Sequence, residues 1–131
     1  MTVVLDASVV VGALVDGGDV GAWAEDVLDH PSLMAPHLLP VEVANILRRA
    51  TTGGDTSPDT ASLAHADMLD LRIELVAYSP LADRIWELRE NVTAYDAWYV
   101  ALAERLDAPL ATLDRRLARA TGPRCAFLVP L

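Results

Sequence analysis

The sequence predicts a single α/β domain with a central, mainly parallel β-sheet flanked by helices. Three observations carry this. Short aliphatic and β-branched runs alternate with helical stretches along the chain. The first run, Val3-Val4-Leu5, is apolar at consecutive positions, as in a strand covered on both faces. The chain has 131 residues, 53% of them hydrophobic, with no repeat and no linker, so residues 1–131 form one domain.

Thr2 to Leu5 reads as the first strand, ended by Asp6. Ala7 to Val15 is small and apolar, a short helix closed by Asp16-Gly17-Gly18. Val20, Trp23, Val27 and Leu28 follow a helical period over Asp19 to His30, and Pro31 stops that helix. Leu33 to Ala35 is a second short strand. Leu39 to Thr51 is the clearest helix: Pro40 suits its first turn, and Val43, Ile46, Leu47 and Ala50 form its apolar stripe. Glu42, Asn45 and Arg49 share another face of it. After the loop Thr52 to Ser57, Pro58 to Arg72 is helical, with Leu63, Ala66, Met68 and Leu69 apolar. Glu74 to Ala77 is a third strand, and Pro80 to Glu90 a helix carrying Leu81, Ile85, Trp86 and Leu88. Thr93 caps a helix over Ala94 to Leu106. Leu110 to Leu113 is a strand running into Asp114, followed by a helix over Arg115 to Ala120 and a last strand over Ala126 to Val129.

Composition excludes several chemistries. All ten basic residues are arginine, so the lysine of a Walker-A loop and Schiff-base catalysis are both ruled out. The three histidines are dispersed and Cys125 stands alone, which leaves no zinc-ligand spacing and no intrachain disulfide. No G-x-S-x-G elbow or G-x-G-x-x-G loop occurs. No apolar run is long enough for a membrane span and Asp6 interrupts the N-terminus too early for a signal peptide; with Cys125 the only cysteine, a reducing cytoplasm is the expected location. Nineteen acids against ten arginines give a net charge of −9, which any contact with nucleic acid must overcome.

Four carboxylates stand out. Asp6 and Asp114 close strands, and Glu42 and Asp96 lie in the first turns of strong helices. In an open parallel sheet, the crevice beyond the carboxyl ends of the strands is where ligands bind. Four carboxylates in one crevice need a countercharge, and Mg²⁺ or Mn²⁺ prefers oxygen ligands. Such an ion can orient a water and neutralise a phosphodiester. Each acid also has an ordinary role, as a helix cap for Asp6 and Asp114 or as a partner of the helix dipole for Glu42 and Asp96. Ser8 and Thr112, each two residues from an acid, suit bracing a carboxylate, contacting a phosphate, or plain helix-end hydrogen bonding. Arg48, Arg49, Arg72, Arg115, Arg116 and Arg119 are candidates for basic rims or for solvated helix faces. Trp23, Trp86 and Trp98 are expected to pack, with Trp23 the best placed for an exposed interface. Tyr95 and Tyr99 are expected in the core.

Four segments in order, V-V-L-D-A-S-V-V (Val3 to Val10), L-L-P-V-E-V-A-N-I-L (Leu38 to Leu47), T-A-Y-D-A-W-Y-V-A-L-A (Thr93 to Ala103) and L-A-T-L-D-R-R-L (Leu110 to Leu117), resemble the successive signatures of a PIN domain. They are most similar to the VapC-type toxins of bacterial toxin–antitoxin pairs. The resemblance spans almost the whole chain. It implies a Mg²⁺- or Mn²⁺-dependent endoribonuclease whose acidic site matches Asp6, Glu42, Asp96 and Asp114. Ser8 and Thr112 match the polar positions beside that site, and Asn45 and Arg49 are candidate substrate contacts. It also implies an RNA substrate, a homodimer, and a small VapB-type antitoxin whose C-terminal tail covers the acids. Two other functions remain open on the residues alone: an RNA-processing nuclease without antitoxin, and a non-catalytic module whose acids capture an arginine of a partner.

Overall fold

The computed structural model describes residues 1–131. Its core is a five-stranded sheet of β1 (Thr2–Leu5), β2 (Ser32–Pro36), β3 (Ile73–Val76), β4 (Leu110–Ala111) and β5 (Phe127–Leu128). The spatial order is β3-β2-β1-β4-β5, and every pairing is parallel. The chain builds outward from β1 to β3, then returns to the other side of β1 to lay down β4 and β5. That reversal puts the topological switch point beside β1, where an open α/β sheet leaves a crevice.

Seven helices cover the sheet: α1 (Ala7–Val15), α2 (Asp19–Leu28), α3 (Leu39–Thr52), α4 (Pro58–Leu69), α5 (Ala82–Glu87), α6 (Ala94–Leu106) and α7 (Arg115–Ala118). No single helix is long and apolar enough to cross a membrane. Val3, Val4 and Leu5 are inaccessible to solvent, as expected of a central parallel strand. Val9 and Val10 of α1, Leu39, Val43 and Leu47 of α3, and Val100 and Leu102 of α6 pack with them in one core. At Gly21, a Cβ would meet the Asp16 carbonyl oxygen at 1.9 Å, so the tight α1–α2 corner admits no side chain there.

Several expected bounds shift, and the reasons are local. The helix expected over Pro80 to Glu90 starts as a 3₁₀ turn at Ser79–Leu81 and ends at Glu87. The helix expected to reach Arg72 stops at Leu69 and the one expected to reach His30 stops at Leu28. The third strand begins at Ile73 rather than Glu74. The last two strands shrink to two residues each, and α7 ends at Ala118. Thr112 and Leu113 leave the ladder and form the turn that carries Asp114.

The expected burial of several apolar residues is corrected as well. On α4, Ala64 and Met68 take the core side, whereas Leu63 and Leu69 are exposed, because residues 64 and 68, four apart, share the one helix face that meets the core. On α5, Ile85 and Leu88 point inward and Trp86 is 65% exposed. Trp23, expected to pack although the best placed of the three for an interface, is half-buried against the core. Trp98 packs edge-on against Tyr78 with ring centres 5.4 Å apart.

One polar network ties α6 to its surroundings. Arg84 on α5 donates to both carboxylate oxygens of Glu104 on α6, at 2.7 and 3.1 Å. It also donates to the Gly122 carbonyl at 2.9 Å, and Glu104 accepts the Arg124 N–H at 2.7 Å. Gly122 has φ +104°, a conformation that side chains avoid, and this lets the loop fold back to that network. Both side chains are largely covered, at 21% and 15% exposure. Removing one partner of such a pair strands the other, so Glu104→Ala should cost about 2 kcal/mol of stability. Urea unfolding checks it; an unchanged midpoint would show that the network contributes nothing.

Candidate active site

The four acids reach the carboxyl edge of the sheet by two local devices, a helix cap and a helix first turn. Asp6 follows β1 directly and caps α1: its Oδ1 accepts the Ser8 N–H at 3.1 Å and the Val9 N–H at 3.4 Å. Asp114 caps α7, with Oδ1 accepting the Arg116 and Leu117 N–H groups at 2.9 and 3.2 Å. Glu42 lies in the first turn of α3, which Pro40 opens. Asp96 lies in the first turn of α6, where its N–H is capped by the Thr93 hydroxyl at 3.2 Å. The ordinary capping roles of Asp6 and Asp114 are therefore real.

Asp6 is the most constrained of the four. Its carboxylate accepts the Ser8 hydroxyl on Oδ1 and the Thr112 hydroxyl on Oδ2, both at 2.5 Å. Those hydroxyls are themselves held: Ser8 Oγ accepts the Leu113 N–H at 3.1 Å, and Thr112 Oγ1 accepts the Asp114 N–H at 2.9 Å. The β4–α7 turn is thereby buttoned to the β1–α1 junction. Burial pushes the Asp6 carboxyl up to about 6, the Ser8, Thr112 and Val9 donors pull the other way, and the Asp96 charge adds a smaller upward push.

Asp96 is raised from the ordinary carboxylate range by burial first, then by the charges of Asp114 and Glu42. Asp96 is thus electrostatically coupled to each of the other three acids. Glu42 is held from below by Tyr99, whose hydroxyl donates to Oε1 at 2.6 Å. Burial, and then that bond to Glu42, keep the Tyr99 hydroxyl protonated.

Core packing was the main expectation for Tyr99, with an approach to substrate beside the Asp96 turn as the alternative for it or Tyr95. The Tyr99 ring does pack, but its hydroxyl also serves the crevice. The signal was present in the spacing, since Tyr99 lies three residues after Asp96 and shares its helix face. Tyr95, expected in the core, is 62% exposed.

The other expected site residues are less directly placed. Asn45 is exposed and accepts Arg48 Nε at 3.0 Å, and Arg49 is exposed on the same helix. Arg48 lines a separate groove of about 300 Å³ between α3 and α4. Arg115 donates to the Pro130 carbonyl. Of the six arginines expected at the rim, Arg116 lines a groove together with Asp96 and Asp114, and Arg89, which was not among them, joins it there.

The chemistry of this donor set fits a hard divalent cation. All four side chains offer oxygen only, they repel one another, and none is paired with an arginine; both ion pairs in the chain belong to Arg84. As placed, no three of the acids stand within coordination distance of one point. The oxygens of Asp6, Glu42 and Asp114 are turned toward Ser8, Thr112, Tyr99 and the α7 N–H groups. The site is an open acidic crevice, not a closed cage.

The single domain with a five-stranded parallel sheet flanked by helices has the fold of a PIN domain. The family model described as "PIN domain" matches residues 3–123, and the chain belongs to this family. It is 43% identical to Ribonuclease VapC1 of Mycobacterium tuberculosis over 123 residues, 93% of this chain and 92% of that protein. It is 35% identical to Ribonuclease VapC9 of the same species over 127 residues, 97% of each chain. Among solved structures, PAE2754 from Pyrobaculum aerophilum superposes with a TM-score of 0.73 at 24% identity, covering 97% of this chain and 83% of that one. VapBC2 from Rickettsia felis, crystallised with a DNA fragment from its promoter, superposes with a TM-score of 0.69 at 14% identity over 98% of both chains.

Proposed function

We propose that the chain is a Mg²⁺- or Mn²⁺-dependent endoribonuclease, acting as the toxin of a type II toxin–antitoxin pair. What supports the reading is the electrostatic coupling of Asp96 to Asp6, Glu42 and Asp114, none of them paired with an arginine, in a chain 43% identical to a VapC ribonuclease. Those four side chains would hold the ion. When bound, it supplies positive charge for the phosphodiester and lowers the pKa of a water.

The chain's own residues prepare the site. Ser8 and Thr112 fix both oxygens of Asp6 and favour its ionised form against burial. Through the Asp114 N–H, Thr112 also sets the start of α7 relative to Asp6. Tyr99 orients Glu42. Hydrolysis by an in-line attack leaves 3′-hydroxyl and 5′-phosphate ends.

The partner of this reading is a small VapB-type antitoxin whose C-terminal tail brings a basic side chain to the unpaired acids, and the toxin forms homodimers. The VapBC2 complex among the fold relatives supports an antitoxin as a class of partner. The test is incubation of the purified protein with structured RNAs, tRNA included, in Mn²⁺ and then in chelator. Cleavage in Mn²⁺, lost in chelator and lost at least about a hundredfold in Asp96→Asn, is the expected result. Equal cutting in chelator or by Asp96→Asn sinks the reading.

A further inference from the structure

An acidic protein that handles RNA needs a local basic track to bring the strand in. One candidate adjoins Asp96 and Asp114 and leads away from the crevice on the α5 side. A groove of about 570 Å³ is lined by Asp96 and Asp114 together with Arg89, Arg116 and Asn91. Arg89 is anchored rather than free. Its guanidinium carbon lies 4.6 Å from the centre of the Trp86 ring, and its Nη1 donates to the Trp86 carbonyl at 2.9 Å. Trp86 is 65% exposed, while its neighbours Ile85 and Leu88 take the core side of α5. The fold therefore makes no use of the indole for packing, yet holds an arginine against it.

We infer that Trp86, Arg89 and Arg116 form a strand-binding arm for single-stranded RNA next to the bond that is cut. A phosphate sits between the two guanidinium groups, and a base stacks on Trp86. The inference rests on the nuclease reading of the crevice. Stacked on an aromatic ring, a guanidinium keeps N–H donors free for phosphate and loses little freedom on binding. Aromatic rings interleaved with cations are the general means of holding single strands without reading sequence. The charge balance works only with the acids in use: Glu90 also lines the groove, and once Asp96 and Asp114 are committed to a cation, the two arginines outnumber it.

The experiment is steady-state cleavage in Mn²⁺ of an RNA that the parent cuts, with Trp86→Ala, Trp86→Phe, Arg89→Ala and Arg116→Ala. Trp86→Ala and Arg89→Ala should each raise KM roughly tenfold and leave most of kcat, and Trp86→Phe should recover most of the loss. The log–log dependence of kcat/KM on salt should flatten by about one unit in Arg116→Ala. A parent that cuts no RNA removes the nuclease reading and the arm with it. If the parent cuts and KM is unchanged in Trp86→Ala and Arg89→Ala, the arm alone is overturned. It is equally overturned if sedimentation shows that Trp86→Ala changes the oligomeric state and the KM change disappears at matched oligomer, since the face then joins two copies of the chain.

Discussion

Asp6→Asn should make the metal-free protein more stable near neutral pH, while removing its cleavage of RNA. The Asp6 carboxyl is raised by burial from its ordinary 3.8 to about 6. Between those values the folded protein keeps a proton that the unfolded chain releases. Stability contributed by the protonated form is therefore present below about pH 4, falls as the pH rises toward 6, and is gone above it. At neutral pH the buried charge costs about 3 kcal/mol, taking 1.36 kcal/mol per pKa unit.

An amide carries no charge, and its oxygen can still accept from Ser8 N and Val9 N. It accepts fewer hydrogen bonds than a carboxylate, so the expected gain is smaller, about 1–2 kcal/mol. Thermal melts in chelator at neutral and at acidic pH measure it. The variant should melt a few degrees above the parent in the first condition and level with it in the second. No gain at neutral pH, or the same gain in acid, would show that Asp6 carries no such strain. The result would also locate a trade of stability for activity in one side chain.

The second large effect is the response expected if the proposed metal binds. Asp96 is repelled by Asp6, Glu42 and Asp114, and a cation that bound only the folded state would relieve that repulsion. Mn²⁺ at about a hundred times its dissociation constant should stabilise the parent by about 2.7 kcal/mol. The sign of the pH dependence follows from the same groups. Asp6 and Asp96 are both raised, so both must release protons before they can ligate, and the Mn²⁺ gain should shrink as the pH falls through about 6. Melting curves with and without MnCl₂, together with calorimetry, follow it. Asp96→Asn should lose most of the shift. A parent indifferent to Mn²⁺ would instead favour a module whose acids serve only to capture a basic side chain of a partner.

Much of this was legible in the chain. Val3-Val4-Leu5 announces a central strand because a strand covered on both faces has no polar position to spare. Pro40, Pro58 and Thr93 mark helix starts by rules that act within one turn, and all three starts are observed. Misreadings fall where a short element has several apolar residues and only some can be buried. α5 has six residues; Ile85 and the following Leu88 occupy its inner side, and Trp86 is left outside. α4 buries Ala64 rather than Leu63 because Ala64 shares the inward helix face with Met68.

Local pattern carries the type and order of the elements, the order of the four acids and their positions at strand ends and helix starts, because those depend on neighbours a few residues away. What holds the acids is set by long-range packing. Thr112 meets Asp6 across 106 positions and Tyr99 meets Glu42 across 57, contacts that exist because β4 lies beside β1 and α6 packs near α3's first turn. Strand order and the packing of distant helices are set by the shape of one shared core, and no local pattern encodes which hydroxyl that core will bring to a given carboxylate.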